Sequence, residues 1–315
     1  IVLDAGSSHT QITMFKMDKN KFHSTNYLTQ IDSQRVEGGI TEHNETDDLI
    51  DQIKNIANPI GDKNKIYLYL SATAGFRLLN ITDHEKVSGL FRLINKTFHD
   101  KLDPINVKSI KIITGKEEAL FCWISINYLN ETLFNDNHKT IGILDMGGAS
   151  AQIAYESINK IKNGNEIINR SENGNGNVDH FNMFGFDHSI KLSSSLCFGN
   201  DQARIRYYHL LITKEQKNNK IDDPCLNKNA KIIISNELFI INQECLKAKN
   251  GLNLNQNENY TLTGSYDNAK CKTLIHQLLD LETCKQSYVY CFNPKINLPP
   301  NDINTKFYAI STYYY

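Results

Sequence analysis

Two short segments of this 315-residue chain share a pattern that suits the binding of a polyphosphate. Each has an apolar strand, an Asp, a glycine-containing turn and a second strand, and the copies begin at Val2 and Ile143. A glycine turn lets backbone N–H groups come close to phosphate oxygens. Hydroxyl and imidazole donors lie in or beside the two turns, at Ser7, Ser8, His9, Thr10 and Ser150. We therefore expect two β-hairpins, each holding one end of a phosphate chain.

The Asp before each turn gives a further requirement. Asp4 and Asp145 would repel phosphate unless a divalent cation lay between them, and carboxylate oxygens suit Ca²⁺ or Mg²⁺. We predict that both hold such an ion through water. For a single copy, an ordinary Asx turn would be the better explanation of the pattern. The matched second copy favours phosphate binding.

Hydrolysis of a phosphate also needs a base that activates water. Thr114-Gly115-Lys116-Glu117 is a T-x-x-E capping box, which occupies Glu117 and leaves Glu118 free to face the cleft. The positive end of the helix dipole should keep a carboxylate there ionised. Ser150 and Gln152 could orient the water. The alternative is that both Glu residues are ordinary first-turn acids. No P-loop and no G-x-S-x-G motif is present, so direct attack by water is the simplest mechanism.

Strands and helices alternate along the chain, which predicts α/β architecture. Apolar runs predict strands at 65–70 and 109–114, a helical period covers 81–99, and the capped helix should run to about Leu129. Trp123, Phe121 and Ile124 on this last helix are predicted to be core. Arg77 follows a turn, where it could bind phosphate or cap a local carbonyl.

The composition excludes several classes of protein. Hydrophobic residues make up 40% and charged residues 22%, as in soluble globular proteins, and the length favours two domains. The formal charge of -1 provides no broad positive field for a nucleic acid. Mean hydropathy is -0.44 and no segment approaches the ~20 apolar residues that span a bilayer. Membrane attachment would therefore need segments absent from this chain.

The cysteines and glycosylation sequons indicate a compartment. Six of the seven cysteines lie after residue 190. They favour three disulfides, with zinc as the competing interpretation. Six N-x-[ST] sequons begin at Asn44, Asn80, Asn95, Asn130, Asn169 and Asn259. Together these features favour the cell exterior or a secretory lumen. The chain begins inside an apolar run and ends in one, so we expect a fragment at both ends.

The motifs together resemble the ecto-apyrases, the nucleoside triphosphate diphosphohydrolases of the GDA1/CD39 family. Four of the five conserved regions of that family occur in the right order, at 4–10, 72–77, 113–123 and 144–152. The resemblance covers almost the whole chain. The His-Thr ending of the first motif is similar to the cell-surface branch, which accepts both triphosphates and diphosphates.

The resemblance implies a role for each matching residue. Glu118 would be the general base, with Ser150 and Gln152 positioning the water, while Asp4 and Asp145 would hold Ca²⁺ or Mg²⁺ through water. The residues expected to line the phosphates are Ser7, Ser8, His9, Thr10, Thr73, Ala74, Gly147, Gly148 and Ala149. The aromatic residues expected at the nucleobase are Tyr313, Tyr314 and Tyr315. The implied disulfides are Cys197–Cys245, Cys225–Cys271 and Cys284–Cys291, which leaves Cys122 free.

The implied fold consists of two ribonuclease H-like domains of the actin-like ATPase superfamily, with the active site in the cleft between them. The first would cover 1–114, without its C-terminal return segment. The second would cover 115–315, with disulfide-bearing insertions and a truncated C-terminus. The expected partner is a nucleotide such as ATP or ADP, not a nucleic acid. The rival hypotheses are a nucleoside diphosphatase or exopolyphosphatase on the same fold, and a nucleotide-binding module that does not hydrolyse.

Overall fold

The computed structural model describes residues 1–6, 9–22, 24–37, 46–134, 139–157, 178–214, 220–246, 259–279 and 305–314. The chain divides into two compact units, one of Ile1–Ser194 with Pro299–Tyr315 and the other of Ser195–Leu298. The first unit contains two five-stranded sheets with helices, so the predicted α/β architecture is confirmed. The predicted domains at 1–114 and 115–315 each contain one of these sheets, and that division stays a prediction.

The first sheet has the strand order β3-β2-β1-β4-β5. Its strands are β1 (Val2–Ala5), β2 (His9–Met17), β3 (Leu28–Glu37), β4 (Tyr67–Ala72) and β5 (Asn106–Ile112). The accompanying helices are α1 (Thr46–Ala57), α2 (Ala74–Thr82) and α3 (His84–Lys101), with single 3₁₀ turns at Lys19–Lys21, Thr25–Tyr27 and Lys63–Lys65. Strands β1 and β4 alternate between buried and exposed residues, because one face of the sheet packs on the helices.

The helix predicted at 81–99 begins later, at His84. Asp83 ends α2 and caps α3, because its side chain accepts a hydrogen bond of 2.9 Å from the backbone N–H of Lys86. The predicted apolar face is confirmed. Val87, Ile94 and Phe98 are buried in the core of this sheet, with Leu90 and Phe91 packed against them.

The second sheet has the strand order β13-β6-β7-β9-β8. Its strands are β6 (Gly142–Met146), β7 (Ser150–Glu156), β8 (Val178–Met183), β9 (Phe186–Leu196) and β13 (Phe307–Ser311). Helix α4 (Gly115–Leu129) packs on β6 and β7. Trp123 of α4 is fully buried, as predicted, but Phe121 is 43% exposed, so its assignment to the core was wrong. It lies on the side of α4 that faces away from the sheet.

The two hairpins have the same register. Strands β1 and β2 are antiparallel with Asp4 opposite Gln11, and strands β6 and β7 are antiparallel with Asp145 opposite Gln152. Each first strand also has a parallel neighbour, β4 in one sheet and β13 in the other. The residue after each parallel neighbour makes an equivalent hydrogen bond. The N–H of Thr73 donates to the carbonyl of Ala5, and the N–H of Thr312 donates to that of Met146, both at 3.1 Å. The structural repeat is therefore longer than the sequence repeat.

One aromatic contact joins the chain before β3 to the far end of α4. The hydroxyl of Tyr128 accepts a hydrogen bond from the backbone N–H of Leu28 at 3.0 Å. It lies 2.9 Å from the carbonyl oxygen of Thr25, to which it can donate. The Tyr128 ring also lies within 6.2 Å of Phe134 and Phe184.

The second unit has a three-stranded sheet in the order β10-β12-β11. Its elements are α5 (Asn200–Lys214), β10 (Lys220–Asp223), β11 (Lys231–Ser235), α6 (Asn236–Ile241), α7 (Gln243–Leu246), β12 (Asn259–Gly264) and α8 (Asn268–Leu279). Two predicted disulfides are present, Cys197–Cys245 and Cys225–Cys271, which excludes zinc at these four cysteines. The third predicted pair, Cys284–Cys291, lies outside the described residues. Across the described part of the chain, no helix has both the length and the apolar character needed to cross a bilayer.

Candidate active site

The turns of the two hairpins have the same backbone hydrogen bond. The N–H of Gly6 donates to the carbonyl of His9 at 2.9 Å, and the N–H of Gly147 donates to the carbonyl of Ser150 at 3.1 Å. Glycine suits position 6, because a Cβ there would make a tight contact of 3.0 Å with the His9 oxygen. These short turns keep the predicted phosphate-binding residues of both hairpins close to the Asp that precedes each turn.

The predicted phosphate-lining residues fall into three groups. Thr10, Thr73, Ala74 and Ala149 are buried, whereas His9, Gly147 and Gly148 are half-buried. Thr73 is the N-cap of α2, but its side chain accepts no hydrogen bond from the first turn of that helix. The first N–H groups of α2 therefore receive no capping hydrogen bond from the Thr73 side chain. Ser7 and Ser8 lie outside the described residues.

Asp4 and Asp145 lie close enough for their charges to interact. The surrounding protein desolvates Asp4 and raises its pKa, His9 lowers that pKa, and the charge of Asp145 raises it again. Asp145 is 7% exposed. It accepts hydrogen bonds from Ser311 Oγ at 2.6 Å and from Cys122 Sγ at 3.5 Å.

Glu118 lies at the start of α4, where the predicted capping box is present. The N–H of Glu117 donates to Thr114 Oγ1 at 3.1 Å, and the N–H of Thr114 donates to the Glu117 side chain at 2.8 Å. Glu118 instead faces the hairpins, with a side chain that is 18% exposed. Its Oε2 accepts hydrogen bonds from Arg77 at 2.7 Å and from Gln152 at 2.8 Å.

The electrostatics of Glu118 differ from the expectation based on the helix dipole. Burial raises the pKa of Glu118, the Arg77 guanidinium lowers it, and the charges of Asp145 and Asp4 raise it further. The net direction is upward, because desolvation outweighs the favourable charges. A carboxyl whose pKa is raised in this way is a stronger base once it is ionised.

Ser150 and Gln152 of β7 complete this group of side chains. They are 2% and 4% exposed. The amide nitrogen of Gln152 donates to Ser150 Oγ at 2.6 Å as well as to Glu118. The Gln152 atom that faces Glu118 is the nitrogen and not the oxygen, because an ionised carboxylate only accepts hydrogen bonds. The other amide atom, Oε1, is buried and receives no hydrogen bond from any described residue. A donor is missing at this position.

Arg77, whose role the sequence left open, contacts both a carbonyl and the candidate base. Its Nη1 donates at 3.0 Å to the carbonyl of Ile113, which lies 36 residues along the chain and is not the local carbonyl that the sequence suggested. Its Nη2 donates to Glu118 and also to Ser150 Oγ, at 3.0 Å. The Arg77 side chain is 15% exposed.

The sequence did not point to two further residues. Ser311, at the end of β13, has a left-handed φ of 59° and bonds Asp145, but a single Ser after an apolar strand carries no signal. Ser194 of β9 lies 3.5 Å from the Gln152 amide nitrogen. A Cβ at Gly115 would lie 2.2 Å from Ser194 Oγ, so α4 begins directly against this strand.

The predicted nucleobase residues differ in their surroundings. Tyr313 is 48% exposed, and both partial burial and the charge of Asp145 raise the pKa of its phenol. Its hydroxyl therefore lies near the candidate metal-holding carboxylate. Tyr314 is 82% exposed, and Tyr315 lies outside the described residues.

The residues fit a divalent cation that is held through water. Within the described ranges, no three or more His, Cys, Asp and Glu side chains cluster closely enough to bind a metal directly. Two hard carboxylates with interacting charges nevertheless lie beside the hairpin turns. This donor set matches the oxygen preference of Ca²⁺ and Mg²⁺, which commonly keep several waters.

Comparisons with known proteins point to one family. The sequence profile of the GDA1/CD39 (nucleoside phosphatase) family matches residues 1–315. Mouse ectonucleoside triphosphate diphosphohydrolase 1 is 30% identical over 336 residues, which cover 100% of this chain and 62% of the mouse protein. Chicken ectonucleoside triphosphate diphosphohydrolase 8 is 29% identical, over 100% of this chain and 64% of that protein. The chain thus spans less than two thirds of the length of these relatives.

A solved structure has the same fold. The crystal structure of nucleoside triphosphate hydrolases from Neospora caninum has a TM-score of 0.62 and 14% sequence identity, and the match covers 94% of this chain and 68% of that chain. At this identity the likeness bears on the fold alone. It agrees with the two ribonuclease H-like sheets of the predicted actin-like ATPase fold.

Proposed function

Since the chain belongs to the GDA1/CD39 (nucleoside phosphatase) family, we propose that it acts as an apyrase. The reaction is divalent-metal-dependent hydrolysis of the terminal phosphate of nucleoside triphosphates and diphosphates, from ATP to ADP to AMP, by direct attack of water. The names of the similar relatives support this substrate class. The unpaired, buried Oε1 of Gln152 beside Glu118 is the observation that carries the proposal.

A single water molecule would supply the missing hydrogen-bond partners of this group of side chains. Gln152 Oε1 needs a donor, and no described residue donates to Glu118 Oε1. Ser150 Oγ already accepts two hydrogen bonds, so its own hydrogen remains to be donated. A water would donate to Gln152 and Glu118 and accept from Ser150. That leaves one lone pair of the water, which would be directed at the phosphorus.

The chemistry is then a displacement at the terminal phosphorus. The water oxygen forms the new bond to the terminal phosphorus. The bond from that phosphorus to the bridging oxygen breaks, so that the shortened nucleotide leaves, and a water proton passes to Glu118. The raised pKa of Glu118 favours this transfer over that of an ordinary surface carboxylate. Since Gln152 and Ser150 are almost completely buried, they hold one orientation of the water before the reaction begins.

The phosphates would be bound by backbone donors of both hairpins. The uncapped first turn of α2, which follows Thr73, adds N–H groups and a partial positive charge that attract an anion. Thr10 and Ala149 border the turns on either side. Tyr313 is the described aromatic residue whose hydroxyl lies near Asp145, so it is the first candidate for a contact to the nucleoside.

Asp4 and Asp145 are the residues that would hold Ca²⁺ or Mg²⁺ through water. When bound, the cation would offset the negative charge of the phosphates and polarise the phosphoryl group. Ser311 keeps the Asp145 carboxylate in one orientation for this task, since its hydroxyl donates to Oδ1 at 2.6 Å.

The expected location is the cell exterior or a secretory lumen. Two disulfides of the second unit support it, because such bonds persist in oxidising compartments. Asn95, Asn130 and Asn259 of the predicted glycosylation sites are exposed.

The decisive experiment compares two neighbouring glutamates. Phosphate release from ATP, ADP and AMP is measured with Ca²⁺ or Mg²⁺ and again with chelator, for the wild type, Glu118→Gln and Glu117→Gln. Loss of the base should lower turnover by at least about 100-fold in Glu118→Gln. Glu117→Gln is a matched control, because Gln also serves in a capping box and that side chain faces Thr114 and Lys111.

The outcomes separate the hypotheses. Metal-dependent release from ATP and ADP but not AMP, lost only in Glu118→Gln, supports the apyrase. Release from ADP far above ATP, or from polyphosphate, would favour the rival phosphatases. Nucleotide binding without any phosphate release would favour a binding module and contradict the proposal.

A further inference from the structure

Arg77 connects three parts of the site that are distant in sequence. It belongs to α2, yet it donates to the carbonyl of Ile113 before α4, to Glu118 in α4, and to Ser150 in β7. The last two contacts span 41 and 73 residues. The guanidinium thus bonds the candidate base and a water-positioning hydroxyl at the same time.

The Arg77 guanidinium determines whether the Ser150 hydroxyl donates or accepts its remaining hydrogen bond. Arg77 only donates, and so does the amide nitrogen of Gln152. Together they occupy both lone pairs of Ser150 Oγ, at 3.0 Å and 2.6 Å. The Ser150 hydrogen can therefore only be donated, and no described residue accepts it. Without Arg77, one lone pair would be free, and a water could donate to Ser150 and lose its orientation.

The contact to Glu118 has a similar effect. Arg77 and Gln152 both donate to Oε2, which leaves Oε1 as the oxygen that can take a proton from water. Both hydrogens of Arg77 Nη2 are used by these bonds, and Nη1 is tied to Ile113. Because the Arg77 side chain is only 15% exposed, its guanidinium is held toward Glu118 and Ser150.

We infer that Arg77 is a positioning residue that sets the donor direction of Ser150 and the reactive oxygen of Glu118, and that it does not bind the substrate phosphate. The inference rests on the proposed hydrolysis. It assigns to Arg77 a task that needs a two-pronged planar donor, which Lys cannot replace.

The test compares kcat and KM for ATP in Arg77→Lys, Arg77→Gln, Ser150→Ala and the double variant Arg77→Gln/Ser150→Ala. A positioning role predicts that kcat falls about 10- to 100-fold in both Arg77 variants, with KM changed less than about threefold. The double variant should be at most about threefold slower than the slower single variant, because both changes disturb one water. A tenfold rise in KM with unchanged kcat, or losses that multiply, would overturn the inference.

Two controls keep the test independent of the proposed function. Arg35→Gln removes an exposed arginine that pairs with Glu37 on β3, and it should leave kcat unchanged. Calorimetry with Ca²⁺ and a non-hydrolysable ATP analogue needs no turnover, and Arg77→Gln should bind the analogue within about threefold of the wild type. Weaker binding by about tenfold or more would assign Arg77 to the phosphate and overturn the inference, even if no variant hydrolyses ATP. Failure of Glu118→Gln to lose activity would instead overturn the proposed function.

Discussion

The two hairpins share one backbone but differ in their side chains. Both have an Asp opposite a Gln and the same turn hydrogen bond, and each first strand has a parallel neighbour, β4 or β13. In the second hairpin, Gln152 faces Glu118 and Ser150. In the first, the amide nitrogen of Gln11 donates to Ser33 Oγ at 2.7 Å and to the carbonyl of Gln34 at 2.9 Å.

The neighbouring elements explain this difference. Next to β2 lies the edge strand β3, whose Ser33 takes up the Gln11 amide. Next to β7 lie β9, with Ser194, and the start of α4, with Glu118. The repeated backbone therefore supplies two turns that we propose bind phosphate, whereas the packing of α4 places a candidate base beside only one of them.

The parallel strands add a second contrast. Ser311 ends β13 and bonds Asp145, whereas the equivalent position at the end of β4 is Ala72. Asp145 is almost completely buried, whereas Asp4 keeps solvent-accessible surface even though nearby protein partly desolvates its carboxyl group. The two candidate metal-holding carboxylates are thus constrained to different degrees.

The largest expected effect concerns the two glutamines. Gln152→Ala should lower kcat about 100-fold, because the water loses one of its acceptors and Glu118 loses a donor. Gln11→Ala should change kcat less than about threefold, because this side chain faces the edge strand. Steady-state rates with ATP measure both. Equal losses would show that the hairpins share the chemistry.

A second prediction concerns the pH dependence of kcat/KM. Because burial raises the pKa of Glu118, the acid limb should lie above 4.5, the ordinary value for Glu. Activity should fall about tenfold per pH unit as Glu118 is protonated below that pKa. Rates across pH 4 to 8 at saturating metal check the sign. Gln11→Ala should leave the apparent pKa of the acid limb unchanged. An apparent pKa at or below that of an ordinary Glu would contradict the assignment of Glu118 as the base.

The smallest expected effect comes from exchanging the strand-end residues. Ser311→Gly removes the hydroxyl but suits the left-handed φ of 59°, so it separates loss of the hydrogen bond from backbone strain. We expect the concentration of Ca²⁺ needed for half-maximal activity to rise about threefold, since Asp145 loses one orienting hydrogen bond but keeps its charge. Ala72→Ser should leave it unchanged. An unchanged requirement in Ser311→Gly would show that Asp145 needs no support from β13.

The sequence predicted the features that depend on neighbouring residues. The hairpins, the capping box at Thr114 and the apolar face of α3 follow from local patterns, and the structure has all of them. The two observed disulfides were implied by the family resemblance and could not be derived from spacing.

The remaining features depend on contacts across the fold. The partners of Arg77 lie 36 to 73 residues away, so its position after a turn could not distinguish a carbonyl from a carboxylate. The helix start at Glu118 suggested an easily ionised carboxylate, but burial by both sheets dominates its pKa. Ser311 owes its role to strand pairing and an unusual φ, neither of which has a sequence pattern.

Helix α4 is attached to the chain of the first sheet at both of its ends. Glu118 bonds Arg77 near the start, and Tyr128 bonds Leu28 ten residues later, so the two attachments are about 15 Å apart. Rotation of the first sheet about the line that joins them would leave both bonds intact, whereas sliding along the helix would break both. A rotation of this kind would therefore leave Glu118 paired with Arg77.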